Sequence, residues 1–363
     1  MKKLLLVFLL APLFLFGCSA EALGGEVFPE IYQVEQALPE GEREISGELR
    51  LDGSYDAPGA LKRLWQRARE KAEEQLHREL RFALQLVSIA LLCSLGGALN
   101  VQKEAEDVIN LAGCCTVSLL LAGELDGLVG QASQTLTELS DYSRAAMPVL
   151  FTAAGACGAP ASSAAKYGAA CFVIDFMIGT AHRLLLPVIH TFIALAVSRS
   201  IYENALLNSL LKLLKWCSVT AMTVLTMGFT FYLSLSGLVA GSTDALAVKT
   251  AKTVISRTLP VVGGILSDSA AVVLAAAGVI RNTAGAFCLV AVCALCLGPF
   301  VALSVKMLVY KAAAVAADFL PGSRLSRLIG DIGTAYGMLL SLIGSCGIML
   351  LVSIMSGIRV VSG

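Results

Sequence analysis

The chain has 363 residues, 56% of them hydrophobic and only 15% charged, with a mean hydropathy of +0.77 and a formal net charge of zero. Soluble domains are about 45–50% apolar and about 25% charged, so the composition excludes an ordinary soluble domain. The balanced charge offers no basic excess for nucleic acid.

At the N-terminus, Lys2 and Lys3 precede an apolar stretch over residues 4–16. It is too short for a comfortable span but suits the core of a signal sequence. Two processing readings stand side by side. Residues 15–18 resemble a lipobox that would leave a lipidated Cys18, whereas Ala20 and Ala22 form an A-x-A site that makes residues 1–22 an ordinary signal sequence. Either one, or an uncleaved anchor, places residue 23 outside the cytoplasm.

Residues 23–81 form the long polar stretch, expected as a small extracytoplasmic segment. Pro29, Pro39 and Pro58 with scattered glycines predict irregular chain over 23–60. A helix follows, because Leu61, Leu64, Trp65, Ala68, Ala72 and Leu76 repeat at helical spacing. Its other faces mix Glu70, Glu73, Glu74 and Glu79 with Arg67, Arg69, Lys71, Arg78 and Arg81. It reads either as a solvated helix leading into the first span or as a surface for a partner or the lipid interface.

From residue 82 onward, apolar runs predict about eight transmembrane helices, at 82–99, 108–123, 145–165, 167–198, 216–240, 258–280, 284–305 and 334–358. The fourth is long and is interrupted by His182, Arg183 and Pro187, so it reads as one kinked helix or two half-helices. With residue 23 outside, Lys103, Lys166, Lys249, Lys252, Arg257, Lys306, Lys311, Arg324 and Arg327 fall on the cytoplasmic side. Arg144, Arg199, Lys212, Lys215, Arg281 and Arg359 fall outside. The positive-inside bias has the right sign but is small.

One offset recurs. Pro148 and Pro260, Pro187 and Pro299, Arg199 and Lys311, Lys212 and Arg324, and Lys215 and Arg327 are each separated by 112 residues. The expected organisation is therefore a signal sequence (1–22), an outer segment (23–81), two entry spans (82–144) and two units (145–256 and 257–363). Three spans in a unit would make the two units an inverted repeat, a common plan among permeases.

Ionisable groups inside apolar runs are Asp175, His182, Arg183, His190, Asp268 and Arg281, and the cost of burying them makes each a site candidate. Asp175 and His190 could line a polar pathway, sit near a span end or pair with each other. Pro260, Gly263, Gly264, Ser267 and Asp268 combine a helix break, close-packing glycines and oxygen ligands, which suits a broken helix with a half-helix N-terminus.

Enzymatic signatures are absent from the sequence. It holds no Gly-Lys-Ser/Thr phosphate loop, no HExxH and no Gly-x-Ser-x-Gly, and its three histidines have no zinc-site spacing. The expectation is a non-enzyme with no cofactor and no metal. Eleven cysteines include Cys293 and Cys296 at redox-motif spacing, but they lie in an apolar run and read as packing residues. Small-residue stretches at 153–165, 275–278 and 312–317 allow close helix contact within one subunit or in a homo-oligomer.

Lys249 and Lys252, followed by Pro260, Gly263, Gly264, Ser267 and Asp268, and the later stretch at Tyr310 and Lys311, give a pattern that resembles the stage III sporulation protein AE family of endospore-forming bacteria. The resemblance covers most of the chain. It implies a multi-pass protein of the mother-cell membrane around the engulfed forespore. There it would be the permease-like subunit of a transenvelope, secretion-like channel, with partners from the same operon that include ring-forming proteins and a secretion-type ATPase. It implies no catalytic residues, and the lipobox-like Cys18 departs from it. The rival reading is a self-contained secondary transporter using Asp175, His190 or Asp268.

Overall fold

The computed structural model describes the backbone of residues 34–46, 55–98, 103–156, 160–202, 204–258, 263–319 and 323–359, with side chains in fewer positions. Among these residues the chain is helical, with no strand. The helices are α1 (Glu40–Ser46), α2 (Ala57–Ala98), α3 (Lys103–Ala156), α4 (Pro160–Thr180), α5 (Leu186–Ile201), α6 (Ala205–Thr258), α7 (Gly263–Asp318) and α8 (Ser323–Arg359). The expected signal sequence and its Cys18 lie outside the described residues.

Local chemistry sets several boundaries. Asp56 caps α2, its Oδ1 accepting from the Gly59 N–H at 3.0 Å, with Pro58 in the first turn. Gly59 is required for that approach, since a Cβ there would lie 1.9 Å from Asp56 Oδ2. Asn204 starts α6 in the same way, accepting from the Leu206 N–H at 3.0 Å. Between α4 and α5 the helix widens to a π-turn over Ala181–Leu185, just before Pro187 in the first turn of α5. Pro187 has no N–H to give the carbonyl four residues back, and the wider turn accommodates the loss. The expected interruption at His182, Arg183 and Pro187 is therefore a π-turn joining two helices.

The main departure from the sequence reading is continuity. The predicted spans at 108–123 and 145–165 were separated by a polar connection, but α3 runs unbroken for 54 residues across that connection. Likewise α7 runs for 56 residues through most of the predicted span at 258–280 and all of that at 284–305. The expected domain boundaries at 81/82 and 144/145 fall inside α2 and α3. At about 1.5 Å per residue, α3 and α7 are each about 80 Å long, well beyond a hydrocarbon core of about 30 Å. Among the described residues, five helices are long and apolar enough to cross a membrane: Asp107–Phe151, Ala169–Ile201, Ala205–Tyr232, Thr283–Asp318 and Arg324–Met355.

α7 and α8 form the central antiparallel pair. Their register is fixed by close approaches of Met307 to Gly337, Lys311 to Gly333 and Ala314 to Gly330. A Cβ on Gly337 would come within 3.2 Å of Met307 Sδ, so the small residues at 330, 333 and 337 let the backbones meet. Packing of this kind, more than solvent exclusion, holds helices together in lipid. α8 is the most enclosed helix, burying Leu328, Ile332, Tyr336, Leu339, Ile343, Leu350 and Ile354.

α2 runs parallel to α7. Tyr55 meets Phe287 edge-on at 5.5 Å, Ala60 and Leu64 pack with Val290 and Ala294, and Phe82 meets Tyr310 at 6.3 Å. The amphipathic helix expected to stand in an outer segment thus lies along α7. Ala60 and Leu64 are buried, whereas Trp65 and Leu76 are exposed. The preceding segment docks too: Val34 and Leu38 are buried, and the Tyr55 hydroxyl donates to the Ser46 carbonyl at 2.6 Å.

α3 packs antiparallel to α4 and the π-turn, through Arg144 with Asp175 and Ser133 with His182. α5 and α6 make a hairpin across Arg199 and Asn208. The ends of α5 and α7 both reach the first turns of α8, since Arg199 pairs with Asp331 and Lys311 binds the Gly330 carbonyl. The two elements matched by the 112-residue offset therefore run in the same direction. Among the described residues, these two elements do not show the inverted arrangement that the offset suggested.

Candidate functional site

α2, α3 and α7 bring together three charged side chains far apart in sequence. Lys306 of α7 lies 3.2 Å from Glu79 of α2 and forms a second ion pair with Glu124 of α3. The Lys306 and Glu79 side chains are only 6% and 3% exposed. Gln75, one turn before Glu79, donates to Glu79 Oε1 at 3.0 Å, and the Arg78 guanidinium stands 3.8 Å away.

An aromatic wall backs the cluster. The Lys306 ammonium sits 5.9 Å from the centroid of the Tyr336 ring, and Tyr336 meets Tyr310 edge-on at 4.9 Å. Helical spacing delivers these groups: Glu79 and Phe82 share one face of α2, and Lys306 and Tyr310 share one face of α7. The Tyr310 and Tyr336 hydroxyls are buried beside each other. A surface depression of about 400 Å³, lined by Glu74, His77, Arg81, Glu79 and Glu124, opens onto the cluster from outside the bundle.

Two carboxylates share one ammonium here, so the triad carries a net negative charge when all three are ionised. With Arg78 beside Glu79 the charges balance, and such a group locks three helices together. The sequence reading missed it, placing Lys306 in a cytoplasmic connection and Glu79 on a solvated face. The available signal was Lys306 itself, a single charge within the otherwise apolar segment from Thr283 to Tyr310.

A second charged cluster lies where α5, α6, α7 and α8 meet. Arg199 pairs with Asp331 and donates to Asn208 Oδ1 at 3.1 Å. Lys311 donates to the Gly330 carbonyl at 2.7 Å and to Thr334 Oγ1 at 2.6 Å. Arg199, Arg324 and Arg327 line one 280 Å³ depression, and Arg324 reaches Asp107 at 3.0 Å. Arg199 was expected outside the membrane and Arg324 and Arg327 inside. They share one end of the bundle because α7 is continuous through two of the three spans expected between them, which leaves two crossings.

The other candidates are more scattered. Asp175 pairs with Arg144 at 3.3 Å on the surface, so of the three readings left open for Asp175 and His190 their mutual pairing is not the one seen. His190 is exposed on α5. His182 hydrogen-bonds Ser133 at 2.8 Å. Gly263 is the first residue of α7, with Gly264, Ser267 and Asp268 in its first two turns, and their side chains lie outside the described set, as does Pro260 altogether. Among the described residues no group of three or more His, Cys, Asp or Glu could hold a metal ion.

The two sides of the bundle differ at one height. A 320 Å³ depression is lined by Lys71, Glu74, Gln131, Gln134 and Glu138 of α2 and α3 together with Leu295 and Gly298 of apolar α7. The α7–α8 register sets Leu295 level with Met349, and Met349 packs with Met177 and Phe229. On that far side the exposed large side chains are Phe172, Phe176, Met227 and Phe231, with the Asp175–Arg144 ion pair on the same surface. One flank is thus heavily charged where the opposite flank is mainly apolar, with one ion pair.

A family model described as stage III sporulation protein AE matches residues 53–361. A curated relative, the stage III sporulation protein AE of Bacillus subtilis (strain 168), is 22% identical over 234 residues, which is 63% of this chain. The match spans 58% of that relative's length. No solved structure matches.

Proposed function

The chain belongs to the stage III sporulation protein AE family, and from that premise we propose that it is the non-enzymatic, permease-like membrane subunit of a channel complex between mother cell and forespore. Its partners would be other products of the same operon, among them ring-forming proteins and a secretion-type ATPase. The observation that carries this reading is the two-sided bundle. The mainly apolar flank of α4 and α6, whose exposed Asp175 is paired with Arg144, suits lipid, while the charged wall of α2 and α3 at the same height suits water or a neighbouring subunit. The triad of Glu79, Lys306 and Glu124 would then hold that wall to α7.

The end bearing Arg199, Lys215, Lys311, Arg324 and Arg327 would face the cytoplasm, by the positive-inside tendency. The segment before α2 would then lie toward the intermembrane space, where the complex assembles, with α2 running from there along α7. The test is a clean deletion complemented in trans. The reading expects arrest after engulfment, restored by the native chain, and co-purification of the operon products. Normal sporulation of the deletion strain overturns it. Solute or ion movement by the purified chain alone in liposomes would favour a self-contained transporter instead.

A further inference from the structure

A groove of about 620 Å³ runs between α5, α6, α7 and α8. At one end stand the Lys215 and Lys311 side chains and the Thr334 hydroxyl. Away from that end the walls are mainly apolar, with Met222 and Met227 from α6, Met307 from α7 and Met338 from α8. Gly333 and Gly337 form part of the floor where α7 and α8 approach most closely. Unbranched methionine chains adapt to a flexible apolar occupant.

Three features identify the occupant. The first is depth: Trp216, 63% exposed, sits beside Lys215, as aromatic and basic residues do at a membrane interface. Beyond it α6 carries no charge as far as Tyr232, and Val219, Val224, Met227 and Phe231 face outward. The second is length. From Lys215 to Met227 the groove follows α6 for about 18 Å at 1.5 Å per residue, close to one leaflet of a core of about 30 Å.

The third feature is charge. Lys215 and Lys311 are close enough to repel each other, and both act on Asp331, which Arg199 already engages. Three cations around one carboxylate leave a positive excess at the groove mouth. We propose that this groove binds one acyl chain of an anionic phospholipid, with the lipid phosphate held by Lys215 and Lys311. Basic side chains between helices at the headgroup level are the arrangement that recognises such lipids. The proposal rests on the membrane location of the chain and not on its role in a channel.

The native tryptophans supply the probe, since the chain has two, Trp65 and Trp216. The full chain carrying Trp65→Phe is reconstituted in phosphatidylcholine vesicles containing a stepwise increasing fraction of either brominated phosphatidylglycerol or brominated phosphatidylcholine. Quenching of Trp216 by the anionic lipid should saturate at a several-fold lower fraction than quenching by the zwitterionic one. Lys215→Gln should abolish that preference, whereas Lys212→Gln, an exposed lysine outside the groove, should keep it. Ser341→Leu, which fills the apolar part, should weaken the anionic-lipid response at unchanged charge. Equal quenching by the two lipids overturns the proposal, as a groove filled by a protein helix would produce. Equal effects of Lys212→Gln and Lys215→Gln overturn it too, reducing the preference to diffuse surface attraction.

Discussion

Glu79 and Lys306, on helices at opposite ends of the sequence, meet at 3.2 Å with almost no solvent access. Their pairing joins the most charged helix of the chain to its central apolar pair, and Glu124 completes the contact from α3.

Removing one partner of such a pair leaves an uncompensated buried charge. Lys306→Met should destabilise the fold by about 3–5 kcal/mol, read as a lower midpoint of thermal unfolding in detergent. Adding Glu79→Leu to Lys306→Met should recover part of the loss, because an apolar pair has no charge to strand. If Lys306→Met unfolds at the native midpoint, the triad does not hold these helices together.

Arg199 and Asp331 connect the α5 end to α8 from partly buried positions, 16% and 23% exposed. Asp331→Asn should cost about 1.5–3 kcal/mol, the range for hydrogen bonds to charged groups. The swapped pair Arg199→Asp with Asp331→Arg should be more stable than either single variant. A double-mutant cycle with zero coupling energy would refute the pairing.

Parallel packing of α2 on α7 predicts a covalent link. Leu64→Cys and Ala294→Cys, which share a buried cluster, should form a disulfide under mild oxidation, detected by a linked peptide in mass spectrometry. An outer segment standing clear of the membrane helices would give no such peptide.

The clustering of basic residues at one end predicts sidedness. Lys212→Cys and Arg327→Cys should react with a membrane-impermeant maleimide from the same face, with labelled peptides located by mass spectrometry. Reaction from opposite faces would restore the alternating topology that hydropathy suggests.

Much was legible before the fold. The apolar runs gave the helical membrane class, and the family followed from the pattern at Lys249, Pro260 and Asp268. The break near His182 and Pro187 was expected because proline withholds a backbone donor wherever it sits. Each of these depends on a short window of sequence, which is why a linear reading reaches it.

The number and direction of the helices were not legible in that way. A hydropathy window averages polarity and does not distinguish a turn from a polar stretch of helix. Residues 124–144 looked like a connection and are the middle of α3. The 112-residue offset suggested inversion, yet Arg199 and Lys311 converge on the same turns of α8.

By itself, then, the sequence determined that this is a helical membrane protein of a sporulation family with a charged amphipathic helix ahead of its apolar body. Only the tertiary structure decided that this helix lies along α7, that Glu79, Glu124 and Lys306 share a buried site, and that Lys215 and Lys311 guard one groove. Propensity and polarity are properties of neighbours along the chain. Which charges neutralise each other depends on helix register and continuity, and those are settled by packing between segments far apart in sequence.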